Sequence, residues 1–124
     1  MARKTEKEEK KTVFTRESLL TLKPEPRECV VKGYEQYGTF FVRQITSGER
    51  LRLSLLLDDG QPVENAYEKA VILGICDEQG VPLFTDADMA ELKNLPMDLV
   101  QGMGIAVMRC NTIDVDEIEI LKGN

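Results

Sequence analysis

At 124 residues, with 42% hydrophobic and 31% charged side chains, the chain is long enough for one core and too short for two. A net charge of −6 and a pI near 4.8 deny it the cationic footprint that nucleic acid or an anionic membrane surface requires. No apolar run approaches the roughly 20 residues that span a bilayer, and the lysine-rich start lacks a signal peptide's apolar segment, which predicts a cytosolic protein.

Met1 to Thr12 holds five basic and three acidic residues and no core-forming side chain beyond the initiator. This is a charged tail, flexible or helical and solvated, because no apolar face offsets the entropy of ordering it. A docking arm for an acidic partner is the functional alternative. A single globular domain is expected over residues 13–112. In Val13 to Leu22, Thr15 followed by Ser18 makes a helix start, and Leu19, Leu20 and Leu22 give a short apolar face. Pro24 and Pro26 end that helix after one or two turns.

The period changes over residues 27–45. Cys29-Val30-Val31 and Thr39-Phe40-Phe41-Val42 are β-prone runs joined by Gly33-Tyr34-Glu35-Gln36-Tyr37-Gly38, which predicts a β-hairpin. Both faces of the second strand carry aromatic or branched residues, so the hairpin lies on helices or against another chain. Thr46-Ser47-Gly48-Glu49 is a capping-box pattern, and with the leucines after it predicts a helix over residues 47–58. Asp58-Asp59-Gly60-Gln61-Pro62 ends it. Pro62 suits the first position of a next helix, with Val63, Ala66, Tyr67, Ala70, Leu73 and Gly74 at helical spacing, running over residues 62–77.

The apolar run Ala70 to Cys76 is the expected packing centre. It stops at the turn Asp77-Glu78-Gln79-Gly80, and Val81-Pro82-Leu83-Phe84 leads on to Thr85, a helix cap with Asp88 in the reciprocal position. Helices over 85–95 and 96–110 come next, the second with Leu99, Val100, Met103, Ala106, Val107 and Cys110 on its apolar side. Gly102 and Gly104 inside it each cost roughly 1 kcal/mol against Ala. Close approach of a neighbouring helix, in this chain or in another copy, is the return for that cost. Residues 113–124 form an acidic tail. The fold class is therefore α+β and mainly α: a small helical domain of four to five helices with an N-terminal β-hairpin.

Catalytic chemistry has no foothold in this pattern. There is no histidine, so a conventional triad is excluded, and no cysteine has a recognisable base beside it. Cys29, Cys76 and Cys110, odd in number and far apart in sequence, are expected as buried thiols. Asp77, Glu78, Asp86 and Asp88 lack the order of a calcium loop, and turn and cap duty accounts for them. Gly102-Met103-Gly104 is no phosphate loop. No enzyme activity, no cofactor and no metal is expected.

Two segments together resemble a known family. Gly38-Thr39-Phe40-Phe41-Val42-Arg43-Gln44-Ile45-Thr46-Ser47-Gly48-Glu49-Arg50 resembles a strand ending in Arg before a Thr-Gly-x-Glu-Arg-like helix start. Ala70-Val71-Ile72-Leu73-Gly74-Ile75-Cys76-Asp77-Glu78-Gln79-Gly80-Val81-Pro82-Leu83-Phe84-Thr85-Asp86-Ala87-Asp88 resembles a helix end running into Cys-Asp-Glu-x-Gly-x-Pro-Leu-Phe-Thr-Asp-x-Asp. In this order and spacing they are similar to the tail assembly chaperones of long-tailed bacteriophages, over about Arg27 to Asn111. The resemblance implies a protein of the host cell cytoplasm that binds the tape measure protein, keeps it soluble and promotes polymerisation of the tail tube. It also implies absence from the finished virion. Relatives make a longer product by programmed ribosomal frameshift, and its extension recruits the tail tube protein; this chain corresponds to the short product. The rival reading is a minor structural tail or head–tail joining protein retained in the particle.

A chaperone of a long helical substrate needs reversible apolar contact and no catalytic groups. Tyr34, Tyr37 and Phe40 on the hairpin and Met97, Met103 and Met108 on the last helix are the candidate interface residues. For the methionines the alternative is plain core packing. Self-association along the hairpin or the glycine-bearing helix would multiply weak contacts.

Overall fold

The computed structural model describes residues 12–112. Apart from Thr12, the tails expected over 1–12 and 113–124 lie outside the described residues. Within them the fold is mixed α+β and mainly α. Five helices, α1 (Arg16–Leu20), α2 (Arg50–Ser54), α3 (Ala66–Gly74), α4 (Met89–Leu92) and α5 (Met97–Cys110), accompany a small antiparallel sheet. Its strands are β1 (Arg27–Cys29), β2 (Phe40–Val42) and β5 (Ile75–Cys76), in the order β1-β2-β5. The expected hairpin pairs Arg27 with Val42 and Cys29 with Phe40. A separate pair, β3 (Leu57–Asp58) and β4 (Gln61–Pro62), forms a second small hairpin.

Three capping boxes start helical segments where their sequences place them. Thr15 and Ser18 exchange side-chain-to-backbone bonds of 2.9 and 3.0 Å ahead of α1. Thr46 and Glu49 open a 3-10 turn, Ser47–Glu49, that runs into α2. Thr85 and Asp88 do the same for the 3-10 turn Asp86–Asp88 and α4. Each satisfies backbone donors that a helix N-terminus leaves without intrahelical partners.

The expected helix over 47–58 is shorter, and the expected helix over 62–77 loses both ends. Asp59 (φ +53°) and Gly60 (φ +77°) both lie in the left-handed region. An Asp-Gly pair in that conformation closes a two-residue hairpin. Leu57 and Asp58 therefore pair with Pro62 and Gln61 instead of extending α2, and Pro62, which has no N–H to give, sits in a strand of two residues rather than at a helix start. Asn65 turns left-handed at φ +62°, and α3 begins at Ala66. At the other end, Phe41 pairs with Cys76 and Val42 with Ile75. β2 is the middle strand and its backbone is paired on both sides, so the apolar run leaves the helix at Gly74 to supply the second partner.

The core forms where α3 and α5 cross behind this sheet. Val42, Ala70, Val71, Ile75, Leu92 and Val107 are almost wholly buried. Two glycines set the helix separation. A Cβ on Gly74 would stand 2.4 Å from Cγ1 of Val107, and one on Gly104 would stand 3.0 Å from the backbone of Tyr67. The close neighbour expected of Gly104 is thus α3 of the same chain. Of the three thiols, only Cys76 is fully buried; Cys29 and Cys110 are half-buried. They are neighbours across the β1–α5 junction, and burial followed by Cys110 pushes the Cys29 thiol up.

Polar latches join the layers. Arg43, just past β2, donates from Nε to the Leu73 carbonyl (2.9 Å) and from Nη2 to Glu49 Oε2 (2.8 Å). Its backbone N–H reaches Gly74 O at 2.9 Å. Glu49 also accepts from the Thr46 N–H at 3.1 Å. The Arg43 hydrogen bond, helped by Thr46, holds the Glu49 carboxyl at about 2 against the opposing effect of burial. Asn111, past the end of α5, accepts from Ile45 N (2.7 Å) and donates to Arg43 O (3.2 Å) and Val107 O (2.9 Å).

Urea denaturation should register both kinds of contact. Gly74→Ala should cost about 2 kcal/mol through overpacking, and the Gly74→Ala/Val107→Ala double variant should be at least about 1 kcal/mol more stable than the summed single losses. Strict additivity would refute the contact. Glu49→Gln should cost about 2 kcal/mol near neutrality, as loss of a charged hydrogen bond does. Because the folded carboxyl is depressed, its stabilisation is present above the ordinary value of 4.5 and disappears as pH falls toward about 2. The gap between variant and wild type should close over that window.

Candidate protein-interaction surface

The hairpin tip is shaped by two glycines and a 3-10 turn. Gly33 (φ +95°) and Gly38 (φ +131°) take left-handed conformations on either side of Glu35–Tyr37. Glu35 accepts from the Gly33 N–H at 2.9 Å, and Tyr34 N donates to Val31 O at 2.9 Å. This compact loop places the Tyr34 and Tyr37 rings 5.9 Å apart at a tilt of 43°, within the range in which aromatic pairs attract. Across the hairpin Thr39 Oγ1 donates to Glu28 Oε2 at 2.7 Å.

The tip is held to the start of α5 from two directions. Tyr34 Oη donates to Asp98 Oδ1 at 2.6 Å, and that carboxylate lies in the first turn of α5, where the helix dipole favours negative charge. The hydrogen bond to Asp98 pushes the Tyr34 phenol up. Farther along, a Cβ on Gly102 would meet Val31 Cγ1 at 2.9 Å, so this glycine admits the hairpin rather than a helix.

Between tip and helix lies an open groove of about 620 Å³ lined by Val31, Tyr34, Tyr37, Phe40, Pro96, Leu99 and Met103, with Gly38 and Thr39. No charged side chain is in that lining. Four of the six candidate interface residues, Tyr34, Tyr37, Phe40 and Met103, meet here although Met103 is distant in sequence. Tyr37 is 78% exposed, whereas Met103 is 8% exposed and forms floor as well as core. Met97 is 79% exposed at the first turn of α5, beside Pro96. Met108 lies elsewhere, half-buried against the core. Val31, Pro96 and Leu99 complete the wall without having been nominated from sequence. Leu99 carried a signal, being on the expected apolar side of the last helix; Pro96 carried none beyond starting it.

A second apolar surface is α1. Its short face forms, but Phe14, Leu19, Leu20 and Leu22 stand exposed, Leu20 at 66%. Away from these surfaces, Asp77 serves local geometry: it accepts from the Gln79 and Val81 N–H groups at 2.8 and 3.0 Å. Among the described residues no group of three His, Cys, Asp or Glu is placed to hold a metal ion, and no helix is long and apolar enough to cross a membrane.

No family model and no curated protein matches this chain. Among solved structures, that of the bacteriophage HK97 tail assembly chaperone is similar at 13% sequence identity and a TM-score of 0.49, covering 75% of this chain and 94% of that one.

Loss of the phenol–carboxylate bond should loosen the tip without unfolding the body. Tyr34→Phe is expected to speed amide exchange at residues 35–38 several-fold while lowering global stability by about 1 kcal/mol or less. Unchanged exchange there would show that Asp98 does not hold the loop.

Proposed function

We propose that this chain is a tail assembly chaperone of a long-tailed bacteriophage. In this reading it acts by lending apolar surface to the tape measure protein, and makes and breaks no covalent bonds. The observation that carries the reading is the groove between hairpin tip and α5, which gathers aromatic and methionine side chains in an open, uncharged trough. The motif resemblance over residues 38–50 and 70–88 supports it independently.

The physics suits such a client. A long helical protein presents apolar side chains at three- and four-residue spacing, and a groove of this kind takes such anchors one or two at a time. Tyrosines supply large contact area at low entropic cost, and methionine adapts to irregular shapes. Each contact is weak, so many copies along one client hold it by avidity and release it when tube subunits compete. In this reading a longer frameshifted product brings the tube protein.

Co-expression with the tape measure protein tests the proposal. The client should be recovered in the soluble fraction with the wild-type chain and in the pellet without it; equal insolubility in both rejects the chaperone reading. Tyr37→Asp leaves the core untouched and removes a central aromatic anchor, typically worth about 2 kcal/mol, so it should weaken client binding by about 30-fold. Mass spectrometry of purified virions should find no copies of this chain; a fixed copy number would favour the structural component instead.

A further inference from the structure

A second groove, of about 550 Å³, opens at the end of the hairpin away from its tip, between β1, the segment after β2 and the last turn of α5. Arg27 and Arg50 stand in its wall beside the apolar Ile45. Among the described residues the ion pair is Arg43–Glu49, so no described carboxylate answers either of these arginines. Cys110, Asn111 and Thr112 line the same groove, and the Asn111 amide is fixed to Ile45 N and Arg43 O. The chain therefore leaves α5 from within the groove.

The sequence continues from there as Ile113-Asp114-Val115-Asp116-Glu117-Ile118-Glu119-Ile120, four carboxylates and four branched aliphatics with no base among them. We propose that this acidic segment of the same chain is the ligand of the groove, its carboxylates answering Arg27 and Arg50 and its aliphatic side chains covering Ile45. Charge complementarity and the point of departure both favour it over a separate partner. Exposed ion pairs are individually weak, but a ligand tethered at Thr112 is present at a millimolar effective concentration. Docking is accordingly reversible, and it is sensitive to salt because the pairs are screened. The inference stands apart from the chaperone reading, since no client takes part in it.

The test is amide exchange by NMR on the full chain at about 0.01 M and about 1 M salt, where the screening length is about 30 and about 3 Å. At low salt the amides of residues 114–119 should exchange at least about fivefold more slowly than in Asp114→Asn/Asp116→Asn, and high salt should erase the difference. Arg27→Glu/Arg50→Glu should abolish the protection, and adding Asp114→Lys/Asp116→Lys should restore it. Free exchange of the segment in the wild type at low salt overturns the proposal, as does protection that survives the arginine reversal. Should the arginine variant fail to fold, the Asp114→Asn/Asp116→Asn chain decides, because its changes spare every residue of the groove: protection unaltered there overturns the proposal.

Discussion

Helix α5 lies against α3 because two positions along their crossing have no side chain. Val107 occupies the space where Gly74 would carry a Cβ, and the backbone at Tyr67 occupies that of Gly104. The position of α5 in turn fixes the rest. Its first two turns present Leu99 and Met103 to the hairpin tip, Gly102 lets Val31 close on it, and its last residue delivers Asn111 to the strand segment after β2. Interior glycines weaken a helix, but here each is offset by an approach that a larger residue would block. The groove is a by-product of that geometry: it is the gap left where a loop leans on a helix whose place is set by its glycine contacts.

Several of the described carboxylates are engaged in holding the fold together. Glu49 binds Arg43, Asp88 caps the 3-10 turn ahead of α4, Asp77 organises the turn after β5, and Asp98 anchors Tyr34. Among the described residues no buried side-chain polar atom lacks a partner, so these groups are matched to structural tasks. Apolar side chains are turned outward as well, at the groove and on α1. A surface of that character is suited to recognising shape and greasiness.

Much of this was legible in the sequence because it is local. A capping box needs a hydroxyl and a partner three residues on, and Thr15, Thr46 and Thr85 could each be read that way. The hairpin of β1 and β2 was legible from β-prone runs on either side of a glycine-flanked loop. The misread elements depend on tertiary demand or on competing local signals. Asp59-Gly60 is a hairpin signature, but the leucines before it favoured a helix. Ile75 and Cys76 continue an apolar run that has no period of its own, and their strand state comes from the needs of β2 across the fold. For the groove, sequence gave its aromatic half and Met103. It gave no reason to bring Pro96 and Leu99 to the tip, since that depends on the Tyr34–Asp98 bond across 64 residues.

The Asn111 side chain acts as a single peptide unit added to the sheet: its oxygen takes the Ile45 N–H while its nitrogen serves two carbonyls. Such a joint demands one acceptor and one donor at fixed positions. Exchange of the amide for a carboxylate, as in Asn111→Asp, would leave the carbon skeleton unchanged and replace the nitrogen by a second oxygen, directed at the carbonyls of Arg43 and Val107. That oxygen would then face both carbonyl oxygens, lone pair against lone pair, with no proton between them. A change at this one atom would unfasten the helix end from the strand with scarcely any change in shape.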